Sequence, residues 1–166
     1  GDPNVRNVWN NIVLGISRSV TAISSLSTNN DPNAKIFLAE ARGMRAYYSL
    51  LTLDLYGVVF VKDDPSGIST VIREEEAVEY IKSELIAIEP VLDNSTGPGR
   101  ITKAAVWGLL ARLHLNAAVY RDRYAATFAH SSEDMDKVVE YTDKIISSGQ
   151  FQLAPEYFSI FNDNNH

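Results

Sequence analysis

The sequence predicts an all-α fold of about five main helices arranged as irregular hairpins, and three observations predict it. Apolar residues recur three and four positions apart over most of the 166-residue chain, while two-residue alternation is nearly absent. Polar runs rich in Asn, Asp, Ser, Gly and Pro separate the periodic stretches. Capping residues stand at several of the boundaries where helices would begin or end.

The first helix is expected from about Asn4 to Leu26, with Val5, Trp9, Ile12, Ile16, Ile23 and Leu26 on one side. It stops in a loop, Ser27 to Asn33, where Asp31 and Pro32 suit the N-cap and first turn of a second helix. That helix carries Phe37, Ala41, Met44, Tyr48, Leu51 and Leu55 as an apolar stripe and closes at Gly57, which tolerates positive φ. Val58 to Val61 reads as a short extended piece, and Asp63-Asp64-Pro65-Ser66-Gly67 as a turn. A third helix fits Glu74 to Leu92, with Val78, Ile81, Leu85, Ile88 and Leu92 in register and Glu74-Glu75-Glu76 complementing the positive end of its dipole. No residue offers an evident N-cap for it. The run Asn94 to Arg100 is a loop by composition.

The fourth helix, about Thr102 to Tyr120, is apolar around most of its circumference and is expected to be the most buried element. A fifth fits Ser132 to Ser148, with Ser131-x-x-Asp134 resembling a capping box and Gly149 at its end. The aromatic-rich stretch Phe151 to Phe161 runs into Asn162 to His166, which reads as a cut within a loop. Trp107-x-x-Leu110-Ala111-x-x-His114 matches the helix-pairing pattern of a tetratricopeptide repeat, with Ala111 in the small-residue slot. The fifth helix is its expected partner, the second and third make a degenerate unit, and the first is assigned a mate before the chain. Uneven loops exclude a regular solenoid and leave a tetratricopeptide-like superhelix of irregular pairs.

Composition limits the function. The net charge of −6 excludes a face built to neutralise a phosphate backbone, so no nucleic-acid partner is expected. The absence of cysteine excludes disulfides, thiolate metal sites and a cysteine nucleophile. No apolar run approaches the ~20 residues needed to span a bilayer. No Gly-x-Ser-x-Gly, Gly-rich phosphate loop or His-Glu-x-x-His occurs, so neither an enzyme nor a cofactor is expected.

Ala39-Glu40-Ala41-Arg42-Gly43-Met44-Arg45-Ala46-Tyr47-Tyr48, followed by Leu55-Tyr56-Gly57, resembles a signature of the SusD/RagB family of outer-membrane nutrient-binding lipoproteins. Val8 to Arg18 is similar to that family's W-N-x-I-Y-x-G-I-N-R segment, with Ser17 in place of Asn. Arg100 to Leu115 is similar to its R-A-T-K-x-A-A-x-A-L-L-A-R-V-Y-L, and Tyr141 to Leu153 to its A-x-x-V-I-x-S-G-x-Y-x-L. The order of these four motifs carries the resemblance further than any one of them. Leu55-Tyr56-Gly57-Val58-Val59-Phe60 departs from the family by lacking a second Gly and a Pro.

The resemblance implies a non-enzymatic surface protein that captures a glycan or other nutrient and caps a TonB-dependent, SusC-like transporter. It implies that residues 1–166 are the helical core of a longer chain, whose lipid anchor lies outside this stretch and holds it at the outer membrane. A tetratricopeptide-type scaffold for a protein or peptide is the alternative, and a hydrolase fragment a third reading.

For ligand contact, Trp9 with Asn10 and Asn11 is the candidate group, because an indole stacks on sugar C–H faces and amides both donate to and accept from hydroxyls. Trp9 also lies on the stripe of Val5, Ile12 and Ile16, where plain packing explains it. Arg42 and Arg45 are expected to form inter-helix ion pairs, with anion binding the other possibility; Tyr48, Trp107 and Ala111 are expected to be framework. His114, without a second His nearby, fits a packing slot. The acidic run Glu74–Glu76 with Glu79 reads as a solvated face, and Asp63–Asp64 as a weak cation candidate; no metal is expected. Asn94-Ser95-Thr96 is a glycosylation sequon.

Overall fold

The computed structural model describes residues 2–95 and 99–161. The expectation that the chain breaks off in a loop at 162–166, and the last residue of the sequon, lie outside the described residues. Among the described residues there are six α-helices: α1 (Pro3–Ser27), α2 (Ala34–Tyr56), α3 (Glu74–Ile88), α4 (Lys103–Leu115), α5 (Ala117–Arg121) and α6 (Ser132–Ser147). A small antiparallel hairpin, β1 (Val59–Val61) and β2 (Thr70–Ile72), pairs Val59 with Ile72 and Val61 with Thr70. The fold is all-α in substance, as expected. β1 answers the expected extended piece at 58–61; β2, three residues long, has no sequence signal of its own.

Caps fix most boundaries. Asp2 accepts from Asn4 N–H ahead of Pro3, Thr102 accepts from Ala105 N–H, and Ser131 accepts from Asp134 N–H as the capping-box reading required. Gly57 ends α2 at φ +69, and Gly149 follows α6 at φ +65. Three boundaries differ from expectation: the start of α2, the end of α3 and a break within the expected fourth helix. Asp31 and Pro32 do not start α2: Asp31 accepts from Asn33 N–H and from Ala34 N–H, closing a turn that delays the helix to Ala34. The third helix stops at Ile88, and Pro90 lies in a 3₁₀ turn over Glu89–Val91. Its start agrees with expectation: the helix begins at Glu74 with no side-chain cap, and Glu74 itself takes φ 51. The long fourth helix is two, broken at Asn116, whose side chain donates back to the Arg112 carbonyl.

Helix α2 lies between α1 and α3, and α4 lies between α3 and α6. Within this chain α1 packs against α2, and α4 and α6 pair as expected. Leu50, Leu53, Ile81, Leu85, Ile88, Leu110 and Leu113 are essentially sealed from solvent and form the central core. Each such side chain contributes about 1.5–3 kcal/mol by burial.

The face of α2 that enters this core differs from the expected stripe. Ala39, Gly43, Ala46, Leu50 and Leu53 are buried, whereas Phe37 and Leu55 are exposed. Small residues win because they allow close approach: a Cβ on Gly43 would sit 2.7 Å from an Ile101 methyl and 3.1 Å from Ile88 Cδ1. The middle of the expected stripe, Ala41, Met44 and Tyr48, instead lines the groove against α1. Only Arg112 and Leu115 of α4 are exposed, which agrees with its reading as the most enclosed helix.

Candidate functional site

Trp9 stands on the first turns of α1, where Pro3 and the Asp2 cap start the helix. Its ring is half-buried, edge-on to Tyr56 at 4.8 Å and to Phe60 at 5.5 Å between centroids. Tyr56 in turn donates its hydroxyl to the Val5 carbonyl at 3.3 Å. An aromatic cluster thus joins the start of α1, the end of α2 and strand β1. One side of it opens into a shallow groove of about 340 Å³ lined by Asp2, Val5, Arg6, Trp9 and Tyr56. Asn11 lines a different groove, between α1 and α2, with Arg18, Met44 and Tyr48, while Asn10 is exposed. Successive helical positions turn by ~100°, so Trp9, Asn10 and Asn11 point in three directions and converge on no single pocket.

The remaining candidates build the frame. Arg42 and Arg45, one turn apart on α2, both clamp Glu84 of α3: Arg42 Nη2 donates at 2.8 Å and Arg45 Nη2 at 2.6 Å. Arg45 also donates to the Lys62 carbonyl and lies 5.8 Å over the Tyr80 ring. Burial opposes ionisation of Glu84, yet hydrogen bonds from the two guanidinium groups hold its carboxyl below the usual range. Tyr48 packs its ring against Gly15, where an added Cβ would fall 2.5 Å from ring carbons. Trp107 is half-buried and donates its indole N–H to Glu89 at 2.7 Å; Ala111 is buried.

His114 does more than fill a packing slot. Its Nδ1 lies 2.8 Å from Asp134 Oδ1, and since a carboxylate only accepts, Nδ1 carries the proton. Asp134 also accepts from Arg121 at 2.5 Å and from the Ser131 hydroxyl at 2.7 Å. Burial raises its pKa, but these three donors outweigh burial and hold the carboxyl far below its ordinary value. Of the exposed acidic residues, Glu75 pairs with Arg121 and Glu79 with Lys82, while Asp64 accepts from Ser66 in its turn. Among the described residues no group of three or more His, Asp or Glu is placed to hold a metal.

Residue type and spacing gave no sign of Tyr56 and Phe60 as the neighbours of Trp9, nor of Glu84 and Glu89 as the partners of Arg42, Arg45 and Trp107. The pairs are 18 to 51 residues apart in sequence, and only the folded hairpins bring them together.

No family model matches the chain. The starch-binding protein SusD of Bacteroides thetaiotaomicron is 36% identical over 133 residues, covering 76% of this chain and 22% of that protein. A SusD-like protein of Bacteroides ovatus is 22% identical over 177 residues, covering 99% of this chain and 32% of that protein. The chain therefore spans between about a fifth and a third of the length of these relatives. In fold it is similar to a protein solved with xylogluco-oligosaccharide, at TM-score 0.84 and 22% identity over 99% of this chain and 34% of that one. It is also similar to surface glycan-binding protein A of Bacteroides thetaiotaomicron, solved with laminarihexaose, at TM-score 0.73 and 22% identity over 95% of this chain and 32% of that one. No helix among the described residues is long and apolar enough to cross a membrane.

Proposed function

From the premise that this chain belongs to the SusD-like family, we propose that its protein is a non-enzymatic, cell-surface glycan-binding component of an outer-membrane uptake complex. The observation that carries this reading is the 36% identity to a starch-binding protein over most of the chain. Residues 1–166 then form the helical core of a longer protein, which is anchored by a lipid outside this stretch and partnered by a TonB-dependent, SusC-like transporter. The frame is rigid where such a role needs it: Glu84 and Asp134 each lock two or more helices through several charge-assisted bonds. On this frame the exposed side of Trp9, with Arg6 and Asp2 in the same groove, is the surface we assign to a sugar ring, while Asn10 and Asn11 face away from it. The aromatic backing by Tyr56 and Phe60 holds the indole in place before a ligand arrives, which reduces the ordering cost of binding.

Binding of the full-length protein to maltohexaose, a xylogluco-oligosaccharide and laminarihexaose tests the reading by calorimetry. Capture of at least one without its hydrolysis, weakened by Trp9→Ala, is the expected result. No binding to any of the three, with a peptide partner retained in pull-downs, would replace the glycan reading by the scaffold one.

A further inference from the structure

A second cleft lies at the C-terminal end of α2 and shares Tyr56 with the Trp9 groove. It is a small, partly enclosed cavity of about 60 Å³ whose lining includes Tyr56, Arg73, Glu74, Tyr120, Arg123 and Tyr124. We propose that this cleft is a saccharide subsite for a neutral pyranose unit, continuing the Trp9 surface through the shared Tyr56 side chain. The proposal rests on the glycan-binding reading above and extends it.

Three features carry it. The first is the mixture of groups. A sugar hydroxyl both donates and accepts, and the cleft offers guanidinium donors on Arg73 and Arg123 beside a carboxylate acceptor on Glu74. Arg73 donates to the Gly57 carbonyl at 3.5 Å and Arg123 to the Asp54 carbonyl at 2.9 Å. Among the described residues neither guanidinium meets a carboxylate within ion-pair distance, so N–H groups on both remain available. The second is the aromatic edge. Tyr124 is 92% exposed, an unusual placement for a large ring, whereas Tyr120 is buried and fixed by donating to Asp54 at 2.7 Å. A few water-sized groups fill a cavity of this size, so it takes hydroxyls while the ring itself lies outside, against Tyr124.

The third feature is the backbone. Glu74 is the one described non-glycine residue with positive φ, at 51°. Gly57 faces it across the cleft at φ +69, where a Cβ would collide with Arg123 Nη1. A non-glycine residue keeps a sparsely populated conformation where its surroundings over-determine it, and Glu74 does so at the border of this cavity, whereas Gly57 is the ordinary glycine cap of α2. The class follows from the mixture. Arg73 and Arg123 each spend a donor on carbonyls at the end of α2, and Glu74 supplies a carboxylate beside them. With donors and an acceptor mixed, the hydroxyls of a neutral sugar, which do both, suit the cleft better than a carboxylate-bearing uronic acid, which only accepts through that group.

The test compares wild-type full-length protein with Tyr124→Ala, whose exposed ring can be removed without disturbing the core. Affinities for maltohexaose, the xylogluco-oligosaccharide and laminarihexaose are measured beside those for tetragalacturonate. A loss of about three- to tenfold on the neutral probe that wild type binds best is expected, the size of one aromatic contact. An unchanged affinity for that probe overturns the subsite while leaving glycan capture at Trp9 standing. Wild-type preference for tetragalacturonate that disappears in Tyr124→Ala overturns the neutral class. Failure of wild type to bind any of the four overturns the glycan reading and this subsite with it.

Discussion

The Tyr80 hydroxyl is buried against Arg45 and the hairpin and meets no hydrogen-bond partner among the described residues. A phenol left in that condition bears the desolvation cost of its O–H with no hydrogen bond to offset it. Its burial pushes the pKa up to about 12, with the Arg45 charge only partly offsetting. Because the folded value exceeds the ordinary 10.0, ionisation costs the folded chain more than the unfolded one, so stability is unaffected by this group's titration below pH 10 and falls as pH rises from 10 to 12. Tyr80→Phe keeps the ring under Arg45 and removes the orphaned oxygen. It should raise stability by about 1 kcal/mol at pH 7 and reduce the loss between pH 10 and 12. Urea midpoints at several pH values measure both effects; a destabilised variant would mean that the hydroxyl is bonded after all.

At the scale of elements, the close approach of α1 and α2 depends on Gly15. A Cβ there would stand 2.5 Å from two Tyr48 ring carbons, and a ring cannot yield as a flexible chain can. Gly15→Ala should therefore destabilise by roughly 1–3 kcal/mol despite alanine's higher helix propensity. Gly15→Ala combined with Tyr48→Leu should recover part of that loss, because the shortened side chain makes room. Thermal denaturation of the single and double variants decides it: additive losses would show that the ring is not the obstacle.

This pair also shows what could be read in advance. Helix positions were legible because 3.6-residue periodicity and caps such as Thr102 and Ser131 are local signals. The core face of α2 was not, because reading it favours the largest apolar residues, while packing between two neighbours selects Ala39, Gly43 and Ala46 for their smallness. The break at Asn116 escaped because the apolar pattern runs unbroken through it. Trp9 stood out by type, but its backing by Tyr56 and the cleft beyond depend on contacts across half the chain, and Arg123 and Tyr124 lie in a polar loop without periodicity.

Across the whole molecule, two carboxylates tie the helices together: Glu84 joins α3 to α2, and Asp134 joins the start of α6 to α4 and α5. Both titrate below their ordinary values of 4.5 and 3.8. The unfolded chain therefore takes up these protons at higher pH than the native one. Their stabilisation is complete above about pH 5 and falls away as pH drops through 4.5 and 3.8 toward the lowered native values. Asp64, Asp93 and Glu140 are lowered too, but at exposed sites where solvent screens the gain. Glu84→Gln should cost about 3 kcal/mol at pH 7, since two guanidinium groups lose their counter-charge, one of them buried. It should also flatten the fall in stability between pH 5 and 3, because the variant has no proton to take up there. Asp134→Asn should act alike on the other side of the core, and the two losses should be nearly additive because the clamps share no partner. Chemical denaturation from pH 3 to 7 measures this. A Glu84→Gln curve parallel to wild type would show that Glu84 does not carry the acid sensitivity.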